Sequence, residues 1–307
     1  TLVVFLMVVY KVLDGFADVY ESEFQRAGRL YLTGKAMAYR TILSVILFLG
    51  TLFLTRELVF SCVIAVLAQA AGILLFDWNL MKLVPGVDIS RAAGKSLALV
   101  RESFLLFLSV FLDGLIFAMA KYAVDAQMTA TDTAIFVAVF MPTSVINLAA
   151  NFVIRPFLTK MSYQWEGKKF DEFTRDLKKL MAIILILTII ALAGAWAIGV
   201  PVLGAISNVK LAPYKSGLLY IILGGGFFAV MNLFYYVLVI MKCQRRIFFG
   251  YVPVCILSAI LSFLLVKTGG INGGALSYML EMLVLMMCFM GQAFYVFYRT
   301  KKQQGGR

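Results

Sequence analysis

LMAIILILTIIALAGAWAIGVPVLGAI, residues 180–206, runs for 27 positions without one ionisable side chain. A hydrocarbon core about 30 Å thick is crossed by about 20 apolar residues wound as a helix, so this stretch is long enough to span a bilayer and too long for a buried strand. Similar stretches recur on both sides of it. Their spacing predicts nine spans, at about 1–24, 33–54, 57–77, 102–124, 133–158, 180–206, 216–241, 247–267 and 272–298. The runs are long and continuously apolar rather than short and alternating, which favours helices over a closed β-barrel. Of the 307 residues 62% are hydrophobic and 14% charged, too little charge to cover a water-soluble fold of this size. The fold class is therefore all-α, a polytopic membrane protein without a separate soluble domain.

The charges test this layout. Lys and Arg total 28 and give a net charge of +12, but they sit in short gaps between apolar runs, where they orient a membrane protein rather than bind nucleic acid. Counted by connection, with Arg40 assigned to the first, 22 fall on the side of the odd-numbered connections and five on the other, with Lys11 inside the first span. The positive-inside rule then places the C-terminus in the cytoplasm. The connections 78–101 and 159–179 mix basic, acidic and aromatic residues. They read as interfacial amphipathic helices on the cytoplasmic face, or more simply as solvated charged loops. Thr1 opens directly into an apolar run without an initiator Met, which reads as the start of a fragment.

Histidine is absent and the four cysteines (Cys62, Cys243, Cys255, Cys288) lie singly in apolar surroundings, so no metal site, disulfide framework or catalytic thiol is expected. No phosphate-binding glycine loop is present either, and no enzyme is read here. What remains is polarity inside the spans, where each ionisable group needs a partner or a watery cavity. Lys11, Asp14, Asp18, Glu21 and Gln25 step by three or four along the first span and share one helical face. The stripe is either a hydrated cavity wall or interhelical glue with Lys11 paired to Asp14. Asn147, Asn151 and Arg155 repeat the pattern in the fifth span, just before Pro156. An arginine with two amides suits a phosphate bearing sugars, although an arginine snorkelling to the membrane edge has the same spacing. Asp113 and Glu281 are isolated acids at depth, and Asn232 with Tyr235 adds polarity to the seventh span. Either acid can hold a proton or sodium ion, or simply accept an interior hydrogen bond. Gly224, Gly225 and Gly226, Gly273 and Gly274, and the Gly194, Gly199, Pro201 series point to close helix packing and to places where helices bend.

Three segments carry a family resemblance. YKVLDGFADVYESEFQRAGRLYLTGKAMAYR (Tyr10 to Arg40) resembles a helix and cytoplasmic turn in the first half of bacterial polysaccharide flippases. IFVAVFMPTSVINLAANFVIRPFLTKMSYQWEGKKFDEFTRDLKKL (Ile135 to Leu180) is similar to the span and loop of their second half, and RRIFFGYVPVCILSAILSFLLVKTGGINGGALSYML (Arg245 to Leu280) to their closing pair. The family is the oligosaccharide-exporter branch of a superfamily that also holds multidrug-extruding cation antiporters. The resemblance implies two six-helix lobes with a cavity between them. Residues 1–77 would be the last three spans of a first lobe, 78–101 an inter-lobe linker, and 102–307 a complete second lobe with a short basic tail. It also implies a flippase for undecaprenyl-diphosphate-linked oligosaccharide in surface polysaccharide assembly, with an ion-coupled multidrug antiporter as the alternative. Its partners would be the lipid-linked oligosaccharide, membrane lipids and other polysaccharide assembly proteins. No cofactor is implied beyond a proton or sodium gradient. On this reading Lys11 and Arg155 contact the diphosphate, with Lys121 a weaker third; Asn147, Asn151 and Asn232 read sugar hydroxyls; and Asp14, Asp18, Asp113 and Glu281 balance charge or couple an ion.

Overall fold

A computed structural model describes residues 2–82, 96–207 and 211–305. Every described element is helical, and the chain divides into two compact units, Thr1–Lys95 and Ser96–Arg307. The all-α expectation is met.

The first unit holds α1 (Leu2–Arg26), α2 (Leu30–Thr55) and α3 (Leu58–Gly72), which passes through a π-helical turn at Ile73–Asp77 into the short α4 (Trp78–Met81). The turn between α1 and α2 runs through Gly28 at φ 72°, the left-handed region that glycine enters without a Cβ penalty. Arg56, also left-handed, closes α2 by donating its backbone N–H to the Leu52 carbonyl. The apolar core of this unit is small: Phe24, Leu32, Ala36 and Met81, with Tyr20 and Leu80 against them.

The second unit holds α5 (Ser96–Gln127), α6 (Ala130–Glu166) and α7 (Phe170–Gly194), then a π-helical turn (Ala195–Gly199) and α8 (Val200–Ser207). A 3-10 turn at Ala212–Tyr214 leads into α9 (Lys215–Ile240), and α10 (Gln244–Gly305) closes the unit. A reciprocal capping box starts α6: the Thr129 hydroxyl accepts from the Asp132 backbone N–H, and the Asp132 carboxylate accepts from the Thr129 backbone. The long α10 is two helices joined at Gly270 (φ 56°, ψ −137°), where the double glycine of the sequence marks a break. The centre of the unit is α9, whose glycines let neighbours approach: a Cβ on Gly226 would collide with Thr188 Cγ2 of α7, and one on Gly224 would lie 2.8 Å from the Tyr278 ring of α10.

Among the described residues seven helical segments are long and apolar enough to cross a membrane: Leu30–Thr55, Leu58–Met81, Phe104–Gln127, Ala130–Glu166, Phe170–Ala205, Lys215–Ile240 and Gln244–Lys302. The last contains both halves of α10, and α1, with its charged stripe, is not among them. Large apolar side chains stand on the outside, Phe53 at 88%, Phe152 at 72% and Phe249 at 68% exposure, as on a surface solvated by hydrocarbon.

Two expectations change. The connection at 159–179 is neither a loop nor a separate interfacial helix. Helix α6 continues to Glu166 and α7 starts at Phe170, leaving only Gly167, Lys168 and Lys169 between them. The mixed composition there belongs to a helical hairpin, zipped by Lys160 to Asp176 and Gln164 to Asp176 (both 2.8 Å) and by the rings of Trp165, Phe170, Phe173 and Phe297. Arg40, counted with a connection, lies inside α2 and is buried. Of the 78–101 linker, residues 83–95 lie outside the described residues, while its ends belong to α4 and α5.

Candidate functional site

In the first unit the polar groups converge on Arg40. Its guanidinium is 1% exposed and donates to Asp77 on the π turn (2.9 Å), Glu21 on α1 (3.0 Å) and, at longer range, Asp14 on α1 (3.4 Å). Gln69 of α3 donates to the same Asp14 oxygen at 3.1 Å. Local sequence makes the arrangement possible. Asp14 and Glu21 are two helical turns apart and so share a face of α1, and Gly72 gives the arginine room, since a Cβ there would sit 2.8 Å from Arg40 Cγ. Three carboxylates meet one buried cation, and Asp77 Oδ1 and Gln69 Oε1 are buried acceptors without a hydrogen-bond partner among the described residues. Such a group keeps its charges only because each side neutralises the other; loss of the cation would leave buried anions uncompensated.

The stripe on α1 therefore divides. Glu21 and Asp14 turn towards Arg40, whereas Lys11 is exposed and forms an i,i+3 pair with Asp14 at 3.2 Å. Asp18 is exposed and its backbone carbonyl accepts from Ser22.

The second unit carries two further clusters. On α6 the Asn147 side-chain carbonyl accepts from Asn151 (3.0 Å) and from Asn232 of α9 (3.2 Å), so the three amides chosen from the sequence do meet. Arg155 follows one turn later on an exposed face, with a partner of its own. Deeper in the unit, Asp113 of α5 lies within electrostatic reach of Tyr235, Tyr251 and Tyr278, and the Tyr251 hydroxyl itself donates to Met231 Sδ at 3.8 Å. Glu281 is fully buried and accepts from the Ser262 hydroxyl at 2.5 Å, with Ser277 beside that serine at 3.3 Å. Glu281 is thus not isolated: it lies in the second half of α10, and a hydroxyl from the first half serves it. Among the described residues, Asp113 Oδ1, Glu281 Oε2 and the Tyr278 hydroxyl remain buried without a hydrogen-bond partner. The Lys121 ammonium lies over the Phe140 ring at 4.0 Å and the Phe117 ring at 5.2 Å. Chemically, the acids can hold or release a small cation, and the amide triplet can exchange its internal bonds for those of a hydroxyl-rich guest.

Arg40, Asp77 and Gln69 are absent from the residues selected on sequence. The signal available was an arginine and an aspartate inside otherwise apolar helices, which by itself marks a paired interior charge.

No protein-family model matches the chain, and no curated protein matches it. Solved structures do share its fold. The crystal structure of a point mutant of the Vibrio cholerae MATE transporter VcmN superposes with a TM-score of 0.74 at 12% identity, over 97% of this chain and 69% of that one. The bent form of VcmN gives 0.71 at 13% identity, over 96% of this chain and 69% of that one. The likeness is one of fold.

Proposed function

We propose that the chain is a membrane transporter coupled to an ion gradient, in the manner of a multidrug antiporter. The observation that supports this most is the likeness of fold to a MATE transporter over nearly the whole chain. Carboxylates within the helices supply the matching chemistry. Asp113 and Glu281 in the second unit, and Asp14 beside Arg40 in the first, exchange a proton or sodium ion as the protein alternates between conformations. In this proposal α1 crosses the membrane despite its charges and the two halves of α10 cross separately, giving nine crossings of a bacterial inner membrane with the C-terminus in the cytoplasm.

A second reading is favoured by the amide triplet and by the sequence resemblance: a flippase for undecaprenyl-diphosphate-linked oligosaccharide. Asn147, Asn151 and Asn232 would bind sugar hydroxyls, and Lys11, Arg155 and Lys121 the diphosphate. Three amides bonded mainly to one another are easily re-partnered by a polyol, whereas an apolar drug has nothing to offer them.

One experiment separates the two. In cells lacking the gene, the antiporter reading gives heightened sensitivity to lipophilic cations with normal surface polysaccharide. Complementation by Asp113→Asn or Glu281→Gln would restore efflux about tenfold less well than the parent. The flippase reading gives lost surface polymer with lipid-linked oligosaccharide held on the cytoplasmic side, uncorrected by Lys11→Ala or Arg155→Ala. Cells with neither phenotype would overturn both.

A further inference from the structure

On the surface of the second unit, α7 and α9 leave between them a cavity of about 440 Å³ lined by Ile189, Leu192, Ala193, Trp196, Leu219, Tyr220 and Leu223. Its walls are nearly all carbon, and they are open rather than sealed: Ile189 and Trp196 are each 65% exposed. Both helices that form it belong to segments long and apolar enough to span a membrane, so what surrounds the opening is hydrocarbon.

Two further features sit at one end of the groove. Trp196 is carried on the π-helical turn Ala195–Gly199, which inserts an extra residue into the helical path. Such turns are rare and concentrate where a helix has been reshaped for use. Lys215, the first residue of α9, holds its ammonium 5.0 Å from the centre of the Trp196 ring. It is exposed, and among the described residues no acidic side chain pairs with it. A tryptophan and a lysine at the end of an apolar helical groove, with a tyrosine in its lining, are the residues of a bilayer interface. An unpaired cation beside the groove mouth selects among interfacial lipids. A phosphodiester with no ammonium of its own gains the full attraction, whereas a zwitterionic headgroup already carries its own counter-charge.

We propose that this groove is a binding site for one anionic phospholipid, with an acyl chain laid along α7 and α9 between Ile189 and Leu223 and the phosphate held by Lys215 above the Trp196 ring. The occupant comes from the bilayer. A soluble anion would use the lysine and leave the groove empty, whereas the lipid satisfies both. The site is independent of which cargo the protein carries.

The test uses the complete chain purified in detergent and titrated separately with phosphatidylglycerol and phosphatidylcholine, bound lipid being counted by native mass spectrometry and folding followed by thermal melting. The parent is expected to retain phosphatidylglycerol about fivefold better than phosphatidylcholine at the tightest site. Lys215→Gln abolishes that preference while still binding both lipids, Lys215→Arg keeps it, and Ala193→Trp, which fills the groove, removes the tightest site for both headgroups. Equal retention of the two lipids by the parent would overturn the proposal. So would a preference surviving in Lys215→Gln, or an unchanged tightest site in an Ala193→Trp protein that melts like the parent.

Discussion

A guanidinium in the interior of a membrane protein persists only if the groups around it replace the water it has lost. Arg40 meets that condition with Asp77, Glu21 and Asp14. Its geometry is that of a planar fork: two of its nitrogens reach carboxylates on different helices, which a lysine, with one point charge, cannot reproduce. Arg40→Met is therefore expected to destabilise the first unit by about 3–5 kcal/mol, the typical cost of stranding a buried charge without its partner. Arg40→Met combined with Asp77→Leu should recover a substantial part of that loss, because fewer anions are left stranded. Thermal melting of the purified single and double variants checks both; a single variant that melts with the parent would show that the charges are hydrated rather than mutually neutralised. The contrast between Arg40 and the α1 stripe also marks what a sequence can disclose. Asp14 and Glu21 are legible because their spacing is local to one helix. The partners of Arg40 are 19, 26 and 37 residues away, and no periodicity connects them. The Asn147–Asn151 pair, four apart, is legible for the local reason; its bond to Asn232, 85 residues on, emerges only from the packing of α6 on α9.

At the scale of the element, helices and their breaks are written plainly where apolar runs end in glycine, as at Gly269 and Gly270, because a left-handed residue cannot continue a helix. Two things are not written there. The Gly194, Gly199, Pro201 series marks a bend where the π turn at Ala195–Gly199 lies, but nothing in the composition there or at Ile73–Asp77 discloses that the bend takes the form of an extra residue. The α6–α7 hairpin is charged because its helices leave the apolar stretch together, a composition that a loop shares. Close packing is better disclosed: the run Gly224, Gly225, Gly226 predicts it, and α9 is where it occurs. Gly226 faces Thr188 with no space for a methyl group, so Gly226→Ala should cost about 1–3 kcal/mol through the shift it forces between α7 and α9. Adding Thr188→Ala removes the clashing Cγ2 and Oγ1 and should restore most of the melting temperature. Gly114 of α5 has open space around it, and Gly114→Ala should be neutral or slightly stabilising, by about 0.5–1 kcal/mol through helix propensity. Melting curves that rank the two alanine variants alike would mean that the α7–α9 contact is looser than its geometry.

For the whole molecule the organising quantity is the sidedness of charge. Moving Arg40 from a connection into α2 reduces the basic residues on one side from 22 to 21, against five on the other, so the asymmetry survives the correction. It therefore bears on how many times the chain crosses, because each omitted crossing would exchange the sides of everything before it. The two crossings at issue are those that hydropathy and length treat badly. Helix α1 is 25 residues long, enough for about 37 Å at 1.5 Å per residue, but carries the Asp14–Glu21 face; α10 runs as one element through Gly270. If the acidic face of α1 is turned to Arg40, its remaining surface, with Phe5, Val12 and Val19 exposed, is apolar enough to meet lipid, and the helix crosses. Single cysteines placed in a background without the four native ones should then divide cleanly. Gly28→Cys, Gly167→Cys and Lys242→Cys should react with a membrane-impermeant maleimide only after the cells are opened, while Leu2→Cys, Gln127→Cys and Gly269→Cys should react in intact cells. Leu2 and Gly28 labelling from the same side would make α1 a surface helix and take Asp14 and Glu21 out of the membrane. Gly269 labelling together with Lys242 would mean that the first half of α10 returns without crossing, and the charge asymmetry would then need another cause.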